Sequence, residues 1–370
     1  MKIQGKQYQT IWLKEGNPEI VQVIDQRKLP FQFEIFELKT VEDAFFAIKE
    51  MVVRGAPLIG VTAAYGIYFA LLKFKGGDLE KYIIENGNYL KSSRPTAVNL
   101  AFAVDEMAEF IFSNKSDTGL VQKVLQKAND LKEKEIGFSN NIGEFGLEII
   151  EKIYEQKQQT VNILTHCNAG WLACIDWGTA TAPIYKAHQK GIPVHVWVDE
   201  TRPRNQGARL TAFELGEEGV QHTVIPDNTG GHLMQHGLVD MVIVGSDRTT
   251  AIGDVANKIG TYLKALAAKD NNVPFYVALP SSTFDFTLED GLTEIPIEQR
   301  DATEVSEIEG WTETGIQTVR LIPEKSVAVN YGFDVTPARL VTGIITERGI
   351  CKANRESILE LFPEKGNIKK

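Results

Sequence analysis

Five short aliphatic segments constrain the fold of this chain more than any other feature. They are VNILT, PVHVWVDE, HTVIPDN, DMVIVGSD and PFYVALP, beginning near residues 161, 193, 222, 240 and 274. Each segment ends in polar or turn-forming residues, and helical patterns lie between them. Spacings of about 18 to 34 residues are typical of successive βα units. The sequence therefore predicts an α/β protein whose C-terminal domain, residues 159–370, contains a Rossmann-like, largely parallel sheet.

The first 158 residues have a different texture. Three β-rich stretches, TIWL, IVQVI and FQFEIFEL, predict a short antiparallel sheet before residue 38. Thr40 and Asp43 resemble the capping box of a helix that we expect to end at Gly55. Further helices are predicted over 57–73, 95–113, about 118–133 and 140–156. We therefore expect a smaller N-terminal domain, residues 1–158, made of a short sheet and helices, with the boundary at KQQT.

Composition excludes several classes of function. A net charge of −10 argues against binding to nucleic acid or to an anionic membrane surface. The apolar segment 57–72 is shorter than the roughly 20 residues that span a bilayer. The three cysteines form no CxxC pair, which disfavours a disulfide framework or a zinc ribbon. Since the N-terminus shows no secretory pattern, we expect a cytoplasmic protein with reduced thiols.

Two of the aliphatic segments end beside side chains that can do chemistry. VNILT is followed by His166, Cys167 and the small residues NAG, and MVIVG leads to Asp247. Ligands bind just beyond the carboxyl ends of parallel strands, so Cys167 and Asp247 are the main catalytic candidates. A helix starting after Cys167 would favour a thiolate or a polarised thiol, and a dry pocket would raise the pKa of Asp247 toward that of a general acid. The alternatives are a packed cysteine and a helix N-cap, and His166 is interpreted as structural or as a hydrogen-bond partner.

Several basic motifs could bind an anion through charged side chains and helix-terminal N–H groups. They involve Arg54-Gly55-Ala56 before Pro57, Arg94 before Pro95, and Arg202, Arg204, Gln206 and Arg209 in TRPRNQGARL. A salt-bridged surface turn is the alternative for the last group. Asn257 and Lys258 follow Asp247, and we expect them in the first turns of a helix beginning near Asp254. From there Lys258 could bring a positive charge to a substrate oxygen, unless this helix face is simply solvated.

Metal and nucleotide cofactors find little support in the sequence. His232 and His236 have the i, i+4 spacing of metal ligands, but no HExxH motif and no third ligand accompany them. Neither a GxGxxG turn nor a GxxxxGK[ST] loop is present. We therefore expect no metal and no cofactor.

The chain resembles the methylthioribose-1-phosphate isomerase family in motifs spread over nearly its whole length. They are RGAPLIG at 54–60, SRPTAVNL at 93–100, THCNAG at 165–170, DETRPRNQGARLTAFEL at 199–215, GSDR at 245–248, GDVANKIGTY at 253–262 and FDVTPARLVTGIITERG near the end. The resemblance implies that Cys167 and Asp247 are the catalytic pair. It implies substrate contacts at Arg54, Gly55, Ala56, Arg94, Gln206, Asn257 and Lys258. It also implies a homodimer that works without a cofactor.

The activity implied is an aldose–ketose isomerisation in methionine salvage, with the sugar phosphate 5-methylthioribose 1-phosphate as substrate. The same chemistry on 5-deoxyribose 1-phosphate or ribose 1,5-bisphosphate is an alternative. The fold is also shared with regulatory subunits of a translation-initiation exchange factor, so a non-catalytic subunit that senses sugar phosphates or nucleotides is another. Cys167 together with Asp247 favours the enzyme. Whether Cys167 transfers a proton or stabilises a hydride shift is left open.

Overall fold

The computed structural model describes residues 1–94 and 97–366. Its strands are β1 Lys2–Ile3, β2 Lys6–Gln7, β3 Ile11–Lys14, β4 Asn17–Ile24, β5 Ile35–Leu38, β6 Val161–Thr165, β7 Val194–Asp199, β8 Gln221–Ile225, β9 Met241–Val244, β10 Arg248–Thr250, β11 Val255–Lys258, β12 Phe275–Ala278, β13 Phe284–Asp285, β14 Glu307–Thr312, β15 Gly315–Arg320, β16 Phe333–Thr336, β17 Gly343–Thr346 and β18 Gly349–Cys351. Its α-helices are α1 Val41–Lys49, α2 Ala56–Lys73, α3 Leu79–Lys91, α4 Val98–Ser113, α5 Leu120–Lys157, α6 Trp171–Cys174, α7 Ala182–Gln189, α8 Ala212–Glu217, α9 Thr229–Gln235, α10 Thr261–Asp270, α11 Gly291–Glu294, α12 Thr303–Ser306 and α13 Arg355–Leu361.

A seven-stranded sheet organises the C-terminal half, in the order β18-β17-β12-β9-β6-β7-β8. The five aliphatic segments form β6, β7, β8, β9 and β12, and every pairing among them and with β17 is parallel. Only β18 runs antiparallel. The Rossmann-like prediction is confirmed. Because the chain proceeds from β6 to one side of the sheet and later resumes at β9 on the other, the carboxyl ends of β6 and β9 flank a topological switch point.

Both faces of this sheet are covered, which explains why its central strands are almost wholly aliphatic. Ile163 of β6 faces one core with side chains of α5 and α7, whereas the adjacent Leu164 faces a second core with side chains of α9 and α10. The alternation follows from the two-residue period of a strand. The sheet is thereby held rigidly, and its strand ends can position reactive groups.

The N-terminal part contains the predicted antiparallel sheet, in the order β3-β4-β5, followed by helices. The hydroxyl of Thr40 accepts the N–H of Asp43, so the predicted N-cap of α1 is confirmed. The helix α2 is long and apolar enough to cross a membrane, but it is buried for most of its length against α1, α3, α4 and α5. It is the central helix of the N-terminal core.

Three helix predictions need correction. The helix after Thr40 ends at Lys49, and Gly55 instead stands immediately before α2. The helices expected at 118–133 and 140–156 are one continuous helix, α5. Gly143 and Gly146 lie in it where a Cβ would meet Lys186 and Pro183 of α7, so close packing outweighs the low helix propensity of glycine. The helix expected from residue 95 begins at Val98, and Pro95 and Thr96 lie outside the described residues.

The fourth correction concerns the site itself. Asn257 and Lys258 belong to strand β11, and the following helix, α10, begins only at Thr261. Pairing with β10 and β16 in a second, four-stranded sheet holds β11 extended. Gly260, with φ of 105°, provides the turn into α10. The hydrophobic periodicity of the segment does not reveal that it pairs with these two strands.

The division into two domains at 158/159 stays a prediction. The helix α5 ends at Lys157 and β6 begins at Val161, which agrees with a boundary there. Met1, Ile3, Ile24 and Leu29, however, pack in the same core as β6. The N-terminal strands therefore contribute to the hydrophobic core of the parallel sheet.

Candidate active site

One cavity lies at the carboxyl ends of β6 and β9 and encloses about 760 Å³ of space, including the part open to solvent. All nine predicted site residues line it: Arg54, Gly55, Ala56, Arg94, Cys167, Gln206, Asp247, Asn257 and Lys258. The sheet brings Cys167 and Asp247 together because β6 and β9 are hydrogen-bonded neighbours, with Leu164 opposite Val242. Residues from the N-terminal helices form the opposite wall.

Cys167 sits in a strained and tightly held turn. Its φ is 67°, in the left-handed region, which is unfavourable for a residue with a Cβ. Its N–H donates to Thr201 Oγ1 at 2.8 Å, and its carbonyl accepts from Thr211 Oγ1 at 2.7 Å. Backbone strain of this kind is characteristic of functional positions. Two threonines from the segment after β7 thus fix the direction of the thiol.

Burial of Cys167 favours the thiol over the thiolate, the two forms that the sequence left open. Burial raises the pKa of the Cys167 thiol, and the nearby charges of Arg54 and Lys258 only partly oppose this. The helix that follows, α6, spans four residues, and the N–H groups of Trp171 and Leu172 at its start donate to the carboxylate of Glu214. The carboxylate of Glu214 therefore already compensates the partial positive charge at the start of α6. As a result, the thiol stays protonated in the resting site.

Glu214 anchors the loop that follows the thiol. It is fully buried in α8 and also accepts from Asn168 Nδ2 at 3.1 Å and from the Tyr185 hydroxyl at 3.1 Å. A Cβ on Gly170 would overlap this carboxylate. Burial raises the pKa of Glu214 to about 7. The glycine in NAG is therefore required for the loop to approach Glu214, a requirement that the sequence alone does not reveal.

Asp247 leaves β9 and enters the short strand β10, so it is not a helix N-cap. Its N–H donates to Ala256 O at 3.0 Å, which attaches it to β11. Burial raises the pKa of Asp247, opposed by the charges of Lys258, Arg94 and Arg54. The expected general acid in a dry setting therefore agrees with the electrostatics of the site.

Lys258 is buried and points into the same cavity. Its Nζ donates to Gly332 O at 2.9 Å and lies 4.9 Å from the centre of the Phe333 ring. Burial lowers the pKa of Lys258, while Cys167 and Asp247 act in the opposite direction. Asn257, beside it, donates from Nδ2 to Thr261 Oγ1 at 3.1 Å.

The N-terminal wall supplies Arg54, Gly55 and Ala56. Gly55 has φ of 85°, and a Cβ there would lie 2.4 Å from the Cβ and the carbonyl oxygen of Ala173. Only glycine allows this close approach. Burial lowers the pKa of the Arg54 guanidinium, and its Nη1 has no protein partner. A buried cation of this kind is suited to a ligand anion.

Three arginines that line the cavity lie close to glutamates. Arg94 Nη2 is 3.7 Å from Glu298 Oε2, while Arg204 and Arg300 both bind Glu304. Sequence reasoning missed Arg300, which lines the cavity from the segment IEQRD and carries no local motif. It also missed Phe333, whose position next to Lys258 depends on the pairing of β11 with β16.

The basic motif TRPRNQGARL contains both cavity-lining residues and structural residues. Arg204 and the buried Gln206 line the cavity. Arg209 turns away and donates to the carbonyls of Leu29 and Arg27. Arg202 likewise donates to the carbonyls of Pro203 and Val305. Half of the cluster is therefore structural.

Among the residues that the structure describes, no group of three metal-ligating side chains converges in the cavity. His232 and His236 are exposed on α9, with ring centres 4.2 Å apart, and His236 Nδ1 is bound to the His232 carbonyl. Within residues 1–94 and 97–366, the group spaced closely enough to share a metal is His166, Asp199 and Asp227. The ammonium of Lys264 already binds Asp199 there, at 3.1 Å.

Comparison with known proteins gives consistent relatives. Residues 52–353 match the initiation factor 2 subunit family. A methylthioribose-1-phosphate isomerase of Desulfatibacillum aliphaticivorans is 57% identical over 367 residues, covering 99% of this chain and 100% of that protein. One of Sulfurimonas denitrificans is 56% identical, covering 96% and 98%.

Two solved structures are similar over nearly the full chain. The 5-methylthioribose 1-phosphate isomerase from Pyrococcus horikoshii superposes with a TM-score of 0.83 at 36% identity, covering 97% of each chain. The translation initiation factor eIF-2B subunit delta from A. fulgidus has a TM-score of 0.78 at 35% identity, covering 96% of this chain and 100% of that one.

Proposed function

Because the chain belongs to the methylthioribose-1-phosphate isomerases of the initiation factor 2 subunit family, we propose that it converts 5-methylthioribose 1-phosphate to 5-methylthioribulose 1-phosphate in methionine salvage. One observation carries the mechanism. A buried thiol, Cys167, and a half-buried acid, Asp247, line one cavity together with the cations Arg54, Arg94 and Lys258. This set suits a sugar whose phosphate needs neutralising and whose ring needs a proton.

Ring opening is the first difficulty, since phosphate on the anomeric oxygen prevents spontaneous opening to an aldehyde. Asp247, whose pKa is raised by burial, donates its proton to the ring oxygen as the bond between that oxygen and C1 breaks. The carboxylate so formed lies among Lys258, Arg94 and Arg54, whose charges stabilise it. The positive charge left at C1 is shared with the oxygen that bridges to phosphorus.

Isomerisation follows by a hydride shift from C2 to C1. The hydrogen leaves C2 with its electron pair and fills C1, the C2 hydroxyl becomes a ketone, and its proton returns to Asp247. Protons and electrons balance and the acid is regenerated. The protonated Cys167 fits this route because a neutral thiol presents a weakly polar wall beside C1 and C2, whereas proton transfer through an enediol would require a thiolate.

The phosphate is held by Arg54, Lys258 and Arg94, with the Gln206 amide as a further hydrogen-bond partner. Arg54 Nη1 is a buried donor without a protein partner, which a phosphate oxygen would satisfy, and Gln206 Oε1 is a buried acceptor that a sugar hydroxyl or ordered water would satisfy. Charge-assisted bonds from arginine are the strongest available to a phosphate. No cofactor enters any step of this scheme.

Comparison of three sugars tests the substrate. Purified protein should turn over 5-methylthioribose 1-phosphate with a higher kcat/KM than 5-deoxyribose 1-phosphate or ribose 1,5-bisphosphate. Cys167→Ser and Asp247→Asn should abolish turnover of all three while substrate still binds, as measured by calorimetry. Binding without turnover by the unmodified protein would instead identify a sensing subunit, and preference for the bisphosphate would reassign the substrate.

Turnover in D2O tests the route. A hydride shift carries the C2 hydrogen directly to C1, so the ketose formed should contain no solvent deuterium at C1 by NMR. An enediol route passes through an exchangeable proton. Deuterium at C1 would therefore contradict the shift and require Cys167 to act as a base.

The assembly is proposed to be a homodimer in the cytoplasm. Six large apolar side chains of the segment 311–331 are each half exposed or more: Trp311, Val319, Leu321, Val327, Val329 and Tyr331. We call this group the hairpin patch, since it comprises the β14–β15 hairpin and the residues after it. Such a concentration of exposed apolar surface is typical of a protein–protein contact. The buried, unpaired cysteines suit a reducing compartment.

A further inference from the structure

His166, one residue before Cys167, is buried and meets an acceptor at both ring nitrogens. Nδ1 lies 2.9 Å from Asp199 Oδ2, and Nε2 lies 2.9 Å from the carbonyl oxygen of Ile259. The exposed fractions of His166 and Asp199 are 1% and 0%, so water does not compete for either contact. A carbonyl oxygen has no proton to give, and Nε2 must therefore carry a hydrogen.

The other ring nitrogen of His166, Nδ1, must also carry a hydrogen, and the reason is the contact between Lys264 and Asp199. The ammonium of Lys264 lies 3.1 Å from the same Asp199 Oδ2, and it also donates to the Asp227 carbonyl. Burial raises the pKa of Asp199, and the charges of His166 and Lys264 oppose this. With the ammonium bound to it, Asp199 acts as an ionised acceptor, so Nδ1 must donate. A neutral imidazole has a single N–H and cannot satisfy both contacts.

The other charges around the ring agree with a cation. Asp227 Oδ1 is 4.0 Å from Nδ1, and Asp334 also acts on His166 electrostatically. Each of these two carboxylates accepts two backbone N–H groups. Three acids, Asp199, Asp227 and Asp334, therefore surround two cations, His166 and Lys264. With a neutral imidazole, Lys264 alone would face three carboxylates, so protonation of the imidazole reduces the excess of negative charge.

We propose that His166 is a buried imidazolium that positions the two sides of the active site. Its Nε2–H joins the end of β6, which carries Cys167, to Ile259, which follows Lys258, and its Nδ1–H joins the same strand end to Asp199 at the end of β7. The Ile259 N–H and the Lys258 ammonium both donate to Gly332 O, so moving Ile259 moves Lys258 as well. A Cβ on Gly260 would come within 3.1 Å of the ring, which leaves the imidazole little freedom. His166 is a positioning residue and does not touch the substrate.

Nitrogen NMR of 15N-histidine-labelled protein tests the protonation directly and does not depend on the proposed function. His166→Asn identifies the two ring signals by their loss. At pH 8 both His166 nitrogens should carry a proton. In Asp199→Asn, the new amide can donate to Nδ1, and His166 should become a neutral ring protonated at Nε2 only. A neutral ring in the unmodified protein, or a doubly protonated ring in Asp199→Asn, would overturn the proposal.

Kinetics test the positioning role, and this arm rests on the proposed function. His166→Asn can donate to one of the two acceptors only, and its kcat should fall by roughly 10- to 100-fold, the scale on which misplacement by about 1 Å acts. His236→Asn, on the exposed face of α9, is the matched control and should keep the unmodified kcat. Wild-type kcat in His166→Asn would refute the role, even if the imidazolium itself is observed.

Discussion

At the scale of single residues, the site is built from groups whose charged forms are disfavoured by burial. The pKa of Cys167 and that of Asp247 are raised, and those of Arg54 and Lys258 are lowered. All four shifts have desolvation as their largest cause. Strand ends could be recognised from the sequence, so Cys167 and Asp247 could be predicted. Their protonation could not, because it depends on side chains from distant segments.

Asp247→Asn should make the protein more stable at high pH and also inactive. The folded pKa of Asp247 is raised above its ordinary value of 3.8, so its contribution to stability is present below that value and is lost as pH rises through the folded pKa. The asparagine keeps the neutral form at every pH. We expect turnover to disappear while Tm at pH 8 rises by roughly 2 °C, with little change near pH 4, by scanning fluorimetry.

A matched control for that prediction is Asp285→Asn. Asp285 binds Arg248, and its pKa is lowered, so its charged form stabilises the fold. This variant should lose stability at pH 8. If both variants shift Tm in the same direction, the electrostatic description of Asp247 is wrong.

At the scale of elements, two close contacts join loops that are far apart in sequence. The turn before α2 touches α6 at Gly55, and the loop after β6 touches α8 at Glu214. The motifs RGAP and THCNAG predicted functional loops, one at an anion site and one at a reactive thiol. They did not predict which element each loop would contact, because that choice depends on how α2, α6 and α8 pack on the sheet.

Gly55→Ala should lower activity, whereas a substitution that only strains a turn with positive φ should not. Positive φ alone costs a residue with a Cβ about 1 to 2 kcal/mol, and Gly16, with φ of 73° and open space around it, measures that cost. At Gly55 the new methyl also overlaps Ala173 and displaces Arg54. We expect Gly16→Ala to keep full activity and Gly55→Ala to lose kcat/KM by at least roughly tenfold. Equal kinetics in the two variants would contradict the role of the contact.

Glu214→Gln should change how stability depends on pH. The folded pKa of about 7 exceeds the ordinary value of 4.5, so the contribution of Glu214 to stability is present below 4.5 and is lost as pH rises through about 7. The amide leaves a buried N–H donor without an acceptor, at a cost of about 1 to 3 kcal/mol. We expect Tm of the variant to fall clearly at pH 5 and less at pH 8. Exposed Glu148→Gln is the control, and a pH-independent difference would refute the prediction.

At the scale of the whole molecule, the chain closes its active site by folding N-terminal helices over the strand ends of the parallel sheet. Arg54 and Arg94 reach the cavity from one part, and Cys167, Asp247 and Lys258 from the other. The hairpin patch remains outside both, exposed on the surface. In the proposed homodimer, a second copy of the chain covers it.

Val327→Glu should disrupt the proposed dimer. Val327 is 90% exposed, so the substitution places a charge in the hairpin patch without disturbing the fold. Leu263→Glu, at an exposed position of α10, is the matched control. By analytical ultracentrifugation we expect Val327→Glu to be monomeric at concentrations where the control remains dimeric. A dimeric Val327→Glu would move the interface elsewhere.

The sequence by itself determined the parallel sheet, the strand ends and the residues with reactive chemistry, because hydrophobic periodicity and turn residues are local properties. The tertiary structure alone decided that α5 is one helix, that Lys258 lies on a strand, that Arg300 joins the cavity and that Cys167 stays a thiol. Each of these depends on contacts between segments far apart in the chain. Burial and electrostatic fields are sums over such neighbours, and no pattern along one segment contains them.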